Sequence, residues 1–199
     1  APNIAEYQSN FSVLIGESVL TTLTINETNN KTISVALAVN LPAEIERNIT
    51  PATCFTPCTF TVSMTATNTS EIKVYDGTFR ASHSAFSAAY QERAFTFTVL
   101  PTEEKKAEIR QKYQDLLPTL SSVQQQFNSI KGSLTEGNRT LLQTLMDRAG
   151  NLSADIQAAL DAQDFVRANT LIGELNSTIS QIQAKFSEVT GSISVDFTF

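Results

Sequence analysis

The residues with the most readable chemistry are asparagines. Asn-x-Ser/Thr occurs eight times, at Asn10, Asn26, Asn30, Asn48, Asn68, Asn138, Asn151 and Asn176. With 13 Asn, and with Ser and Thr making up 44 of 199 residues, composition alone gives roughly 3 such triplets. The triplet is the acceptor for an N-linked glycan, a bulky and solubilising surface group. Several of the eight sites are expected to carry glycan. The competing reading is a Thr- and Asn-rich chain with no modification at all. Most bacteria lack this pathway, so the count points to an archaeal or eukaryotic source.

The two cysteines form the run Cys54-Phe-Thr-Pro-Cys58. A disulfide there closes a tight loop at the entry to a strand, for a modest stabilisation of about 2 kcal/mol. The spacing is not the Cys-x-x-Cys of redox motifs, and no further Cys could complete a metal site. A structural bridge and an oxidising compartment are expected.

Other candidate chemistry is weak. His83 is the single histidine, flanked by Ser82 and Ser84. Neighbours on a strand point to opposite faces, so these are not a nucleophile–base pair. Glu44/Glu46 and Glu103/Glu104 lack an apolar surround that would raise a carboxyl pKa. Seven scattered Gly form no phosphate loop, and the acidic spacing matches no calcium loop. No cofactor, metal site or enzymatic activity is expected.

Composition bounds the partners. Net charge is −6, which disfavours nucleic acid and anionic membranes. Charged residues are 17% of the chain against about a quarter in ordinary globular domains. The longest purely apolar run is Val35–Val39, far below the roughly 20 residues of a spanning helix, so no direct membrane insertion is expected within this chain. The chain opens Ala-Pro-Asn without an initiator Met, which reads as a processed secreted product or, more plainly, as an arbitrary starting point within a longer chain.

Two periods divide the chain. Residues 1–101 read as about seven short strands: Ile4–Gln8, Phe11–Ile15, Val19–Asn26, Thr32–Asn40, Cys58–Thr67, Thr78–Ser84 and Ala94–Leu100. Period-2 alternation puts Phe60, Val62 and Met64 on one face and Thr59, Thr61 and Ser63 on the other. Asn26 and Asn30 flank what reads as an exposed hairpin turn. An antiparallel β-sandwich follows.

The run Val13-Leu-Ile-Gly-Glu-Ser-Val19, a long strand ending in Asn, an Asp76-Gly77-Thr78-Phe79 turn and a closing Phe95-Thr-Phe-Thr-Val-Leu-Pro101 resemble the immunoglobulin-like domains of prokaryotic surface proteins. CARDB-type cell-adhesion modules and archaeal S-layer-associated modules belong to that group. The resemblance covers about residues 1–101. It implies surface architecture and carries over no catalytic residue.

Residues 102–190 take a helical period. Thr102 is placed to cap a first helix with the stripe Ile109, Tyr113, Leu116, Leu120, Val123, Phe127 and Ile130, and Pro118 inside it is expected to kink it. Ser133-Leu-Thr-Glu136 reads as a capping box for a second helix with the stripe Leu141, Leu145, Leu152, Ile156 and Leu160. Asp164 opens a third, with Ala168, Leu171, Leu175, Ile179, Ile182 and Phe186 inward and Gly191 as its stop. Three such helices with short turns make an antiparallel bundle. On a helical wheel Asn151 lies roughly 120° from the apolar face, Asn176 lies on a flank and Asn138 lies in a first turn, so none need be buried.

Residues 191–199 return to strict alternation, with Ile193, Val195, Phe197 and Phe199 on one face of a terminal strand. That strand is expected to pair with its own sheet or with a neighbour's. The fold class is therefore α+β: an immunoglobulin-like sandwich (1–101), a three-helix bundle (102–190) and a C-terminal strand (191–199). The expected function is that of an extracellular, N-glycosylated structural protein of a cell surface. It would self-assemble into a filament or surface layer by strand addition through the N-terminal segment (Ile4, Tyr7) or the tail. The alternative is a monomeric adhesion or receptor ectodomain, whose bundle is a stalk or partner-binding element. Partners are then other copies or another surface protein, with N-linked glycans as the attached groups.

Overall fold

The computed structural model of the chain describes residues 1–193. It is α+β, with two sheets and three helices. It divides into two compact units, one ending at Thr102 and the other starting at Glu103.

The first unit packs two sheets around one core. Sheet one has the order β1 (Pro2–Glu6), β3 (Ser18–Glu27), β7 (Cys58–Ala66), β5 (Ile45–Thr50). Sheet two has the order β2 (Asn10–Leu14), β9 (Tyr90–Leu100), β8 (Val74–His83), β4 (Ser34–Asn40), β6 (Thr53–Phe55). Alternation drives the packing. Leu23, Ile25, Phe60, Val62 and Met64 of sheet one meet Val35, Phe79, Ala81, Phe97 and Val99 of sheet two, all fully excluded from solvent. Their partners one residue along, such as Thr22, Thr59 and Thr61, face water. Threonine suits that position because its branched Cβ fits the pleat and its hydroxyl meets solvent.

Several expectations change here. The sandwich is not wholly antiparallel: β2 runs parallel to β9 over five residue pairs, Asn10↔Thr96 to Leu14↔Leu100. Residues 27–33 are not a hairpin turn, because β3 and β4 lie in different sheets and the segment crosses between them. Asp76-Gly77-Thr78 is not a turn but the interior of β8, paired to Thr96, Phe95 and Ala94. Glycine is needed there because a Cβ on residue 77 would stand 2.7 Å from Cε2 and 2.9 Å from Cε1 of Phe95. A true turn does lie at Gly16, whose φ of +87° belongs to the left-handed region. Tyr7 lies past the end of β1 rather than in it, and its ring stands edge-on to Phe79 at 6.3 Å.

The second unit holds α1 (Glu103–Ile130), α2 (Glu136–Asp161) and α3 (Phe165–Ile193). Arg110 of α1 lies over the ring of Phe165 at the start of α3, while Tyr113 of α1 bonds Ser153 in the second half of α2. The helices therefore run up, down and up. Asp164 caps α3 as expected, its Oδ1 accepting from the Arg167 N–H at 3.0 Å. The Ser133 capping box does not form. The Ser133 hydroxyl donates to Ile130 O at the end of α1, and Thr135 takes the N-cap of α2. The α2 stripe is also displaced by one residue in its first half. Leu142, Met146 and Ala149 are buried there, and Leu141 is 47% exposed. Pro118 lies inside α1 without ending it. Gly191 does not stop α3, which continues to Ile193, so Ile193 is helical rather than the start of a strand. The expected strand residues Val195, Phe197 and Phe199 lie outside the described residues.

Candidate functional site

The surface built by the eight sequons is the feature that recurs through both units. Asn10 opens edge strand β2, where its Oδ1 accepts from Thr96 Oγ1 at 2.8 Å. Asn26 is half-buried in β3 opposite Asn3, and Asn48 is exposed on edge strand β5 opposite Ser63. Asn30 and Asn68 lie in connections, both exposed. In the helical unit Asn138 is half-buried in the first turn of α2, and Asn151 and Asn176 are exposed on α2 and α3. None of the eight side chains enters a core.

The Asn30 connection is braced from beneath. Glu27 is a buried carboxylate, 7% exposed, at the end of β3. It pairs with the Ala1 ammonium at 2.8 Å and accepts from the N–H groups of Asn29 at 2.6 Å and Lys31 at 3.0 Å. The ammonium first, and then the backbone donors, lower its pKa to about 2. On the other side Thr56 donates to Lys31 O and accepts from the Ile33 N–H. Sequence reading missed both anchors. An acidic residue just before an Asn-Asn-Lys turn is a fair hint of the first, while Thr56 acts from a distant segment.

Thr56 sits inside the Cys54–Cys58 loop. The two cysteines form a disulfide with Cα atoms 6.2 Å apart. Cys54 belongs to β6 of sheet two and Cys58 opens β7 of sheet one. The bridge therefore ties the two sheets where the chain crosses between them.

His83 and Glu103 are each engaged by a local partner. His83 ends β8, and its Nδ1 accepts from the Ala85 N–H at 3.0 Å, whereas Ser84 shares its hydrogen bond with Ser34. Its ring lies 5.0 Å from that of Phe86. Lys106 holds the Glu103 carboxyl below its ordinary range, the direction opposite to that of a general acid. Lys73 does the same to Glu71. A shallow groove runs past Ser9, Asn40, Gly77, Ala94 and Thr96, with Asp76 the single charged residue lining it. Among the described residues no three His, Cys, Asp or Glu side chains converge as metal ligands, and no helix is long and apolar enough to cross a membrane.

No protein-family model matches the chain, and no curated protein matches it. Solved structures resemble about half of it. Domains 4 and 5 of the S-layer protein SbsC match at 10% identity and a TM-score of 0.36, over 50% of this chain and 54% of that one. The sialic acid-binding region of a Streptococcus sanguinis SK1 adhesin matches at 16% identity and a TM-score of 0.36, over 52% of this chain and 31% of the adhesin. A family 123 glycoside hydrolase from Clostridium perfringens matches at 9% and 0.37, over 47% and 23%. This chain thus spans about half of the two-domain SbsC fragment and less than a third of the other two chains. Surface-layer and adhesin domains are among the neighbours, and so are parts of enzymes.

Proposed function

We propose that the protein is an extracellular, N-glycosylated structural module of a cell surface, with an immunoglobulin-like sandwich and a three-helix bundle as its building blocks. The observation that carries this reading is that eight sequons, on strands β2, β3 and β5, two connections and helices α2 and α3, all keep their asparagines out of the cores. The disulfide supports the same compartment. Site-resolved mass spectrometry of the protein from its own cells tests it. Glycan on several of the eight asparagines is expected, and a wholly unmodified chain would overturn it.

Within that reading the protein associates with copies of itself through strand addition, and the alternating tail after α3 is the segment best suited to donate. Main-chain hydrogen bonds supply affinity and alternate apolar side chains supply register. Electron microscopy and mass photometry of the glycosylated protein at micromolar concentration, with and without residues 194–199, test this. Filaments or sheets that vanish on truncation support it. One observation favours the second reading, a monomeric ectodomain with the bundle as a spacer. Ile4 is 2% exposed in the protein's own core and β1 is already paired to β3, so the N-terminal strand is spoken for. A monodisperse monomer in both samples would select that reading.

A further inference from the structure

We infer that folding sorts the sequons: Asn30 is the acceptor that an oligosaccharyltransferase can use on the folded protein, whereas Asn68, Asn151 and Asn176 accept glycan only before their unit folds. The inference deepens the glycosylation reading above and rests on it for its biological relevance.

The chemistry sets the geometric demand. The transferase joins Asn Nδ2 to the anomeric carbon of a lipid-linked sugar. The bond from that carbon to the lipid phosphate oxygen breaks, the lipid phosphate leaves with the electron pair, and the amide nitrogen gives up a proton. The enzyme recognises the Ser or Thr two residues on through its hydroxyl. Both side chains must therefore be presented together, with their polar groups clear of the fold. A residue paired in a sheet or coiled in a helix must first be released, at the cost of its hydrogen bonds and packing.

Asn68 and Asn30 make the sharpest contrast, since both are exposed and both lie in connections. At Asn68 the recognition hydroxyl is taken. Ser70 is 5% exposed, and its Oγ donates to Glu44 O at 2.8 Å, beside Thr67, which donates to the same carbonyl. At Asn30 all three residues, Asn30, Lys31 and Thr32, are exposed and belong to no strand or helix. The backbone there is held by Glu27 and Thr56, and Asn30 itself sits at φ +57°. The bracing thus takes backbone groups of this segment and leaves the Asn30 and Thr32 side chains exposed.

The helical sites repeat the Asn68 situation. Ser153 Oγ is 2.8 Å from the Tyr113 hydroxyl in the α1–α2 interface. Thr178 is 1% exposed, and its hydroxyl donates to Glu174 O at 2.9 Å. In both cases the asparagine shows on the surface while its recognition hydroxyl is engaged in a hydrogen bond, Thr178 buried and Ser153 half-buried.

The test compares acceptor rates in the folded full-length chain, made without glycan, with those of short synthetic peptides spanning each sequon. A purified oligosaccharyltransferase, a lipid-linked oligosaccharide and site-resolved mass spectrometry complete it. The peptides report intrinsic competence, so each folded-to-peptide ratio reports access alone. Asn30 is expected within about tenfold of its peptide. Asn68, Asn151 and Asn176 are expected to fall about 100-fold or more below theirs, the factor set by an opening step of about 3 kcal/mol. A reduced and alkylated chain should restore Asn68 more than the folded chain allows. A ratio at Asn68 equal to that at Asn30, or an unreactive Asn30, would overturn the inference. The failure of the broader reading looks different: protein from native cells would carry no glycan, while the ratios in the purified reaction would still separate.

Discussion

Phe95 stacks on Phe79 at 4.2 Å and meets Phe11 edge-on at 5.5 Å, which joins the two ends of the strand unit through one ring. In the helical unit Leu142, Met146, Ala149, Leu152 and Ile156 form a stripe that repeats every three or four residues along one helix. The strand core is thus assembled from distant segments, and each position depends on partners it meets only in the fold. The helical core is written locally, and its termini are closed by neighbours such as Asp164 and Thr135. The difference teaches where each unit is fragile: the strands at single large side chains, the helices at the sum of small ones.

The largest expected effect is Phe60→Ala. Phe60 is fully buried between the sheets, and its truncation should cost about 3–5 kcal/mol. Hydrogen exchange by mass spectrometry checks both the size and the place. Peptides from residues 1–102 should lose protection while those from α1 to α3 keep it. Equal loss in both units would break the comparison.

Gly77→Ala should follow, at about 1–3 kcal/mol, because the new methyl meets the ring of Phe95. Chemical denaturation would reveal it, and pairing it with Phe95→Leu should recover part of the loss. Full additivity of the two changes would show that the contact is not the cause.

The helical unit should respond more mildly. Asp164→Ala removes the acceptor for the Arg167 N–H and should cost about 1 kcal/mol. Tyr113→Phe removes a hydroxyl bonded to Ser153 O and Oγ, again for about 1 kcal/mol. Thermal melting of the two variants would sharpen the contrast with Phe60→Ala; a loss as large as that one in either would erase it.

The narrowest effect is confined to acid. Glu27 falls from 4.5 to about 2 in the fold, so its contribution is complete above pH 4.5 and is lost as pH falls towards 2. Denaturation of the native chain and of Glu27→Gln as a function of pH should give curves that differ most above pH 4.5 and converge as pH falls towards 2. Curves that stay parallel would remove Glu27 as a brace of the Asn30 connection.

What could be read in advance follows the same division. Cys58–Ala66 was legible because one face is buried and the other wet, so its alternation is complete. β5 was not, since Ile45-Glu-Arg-Asn-Ile-Thr is an edge strand with only Ile45 deeply buried. β6 is three residues long and bracketed by Pro51 and Pro57. The glycine of β8 looked like a turn because the ring that requires it lies on another strand. In α2 the choice between Leu141 and Leu142 rests on which of the two the bundle buries, which no local pattern states. The sequons were found from sequence as positions. What separates Asn30 from Asn68 is the fate of a hydroxyl, and that is fixed by Glu44, a residue more than twenty positions away.

The parallel pairing of β2 with β9 has a mechanical meaning. β9 leads through Pro101 and Thr102 into α1, and β2 follows the exposed segment at Ser9. Tension applied between Ser9 and the first helix pulls these strands in opposite directions along their shared axis. The ladder from Asn10↔Thr96 to Leu14↔Leu100 is then loaded in shear, and its bonds share the force instead of parting one at a time. Peeling would require tension across the strands. A chain pulled at these two points holds at this seam.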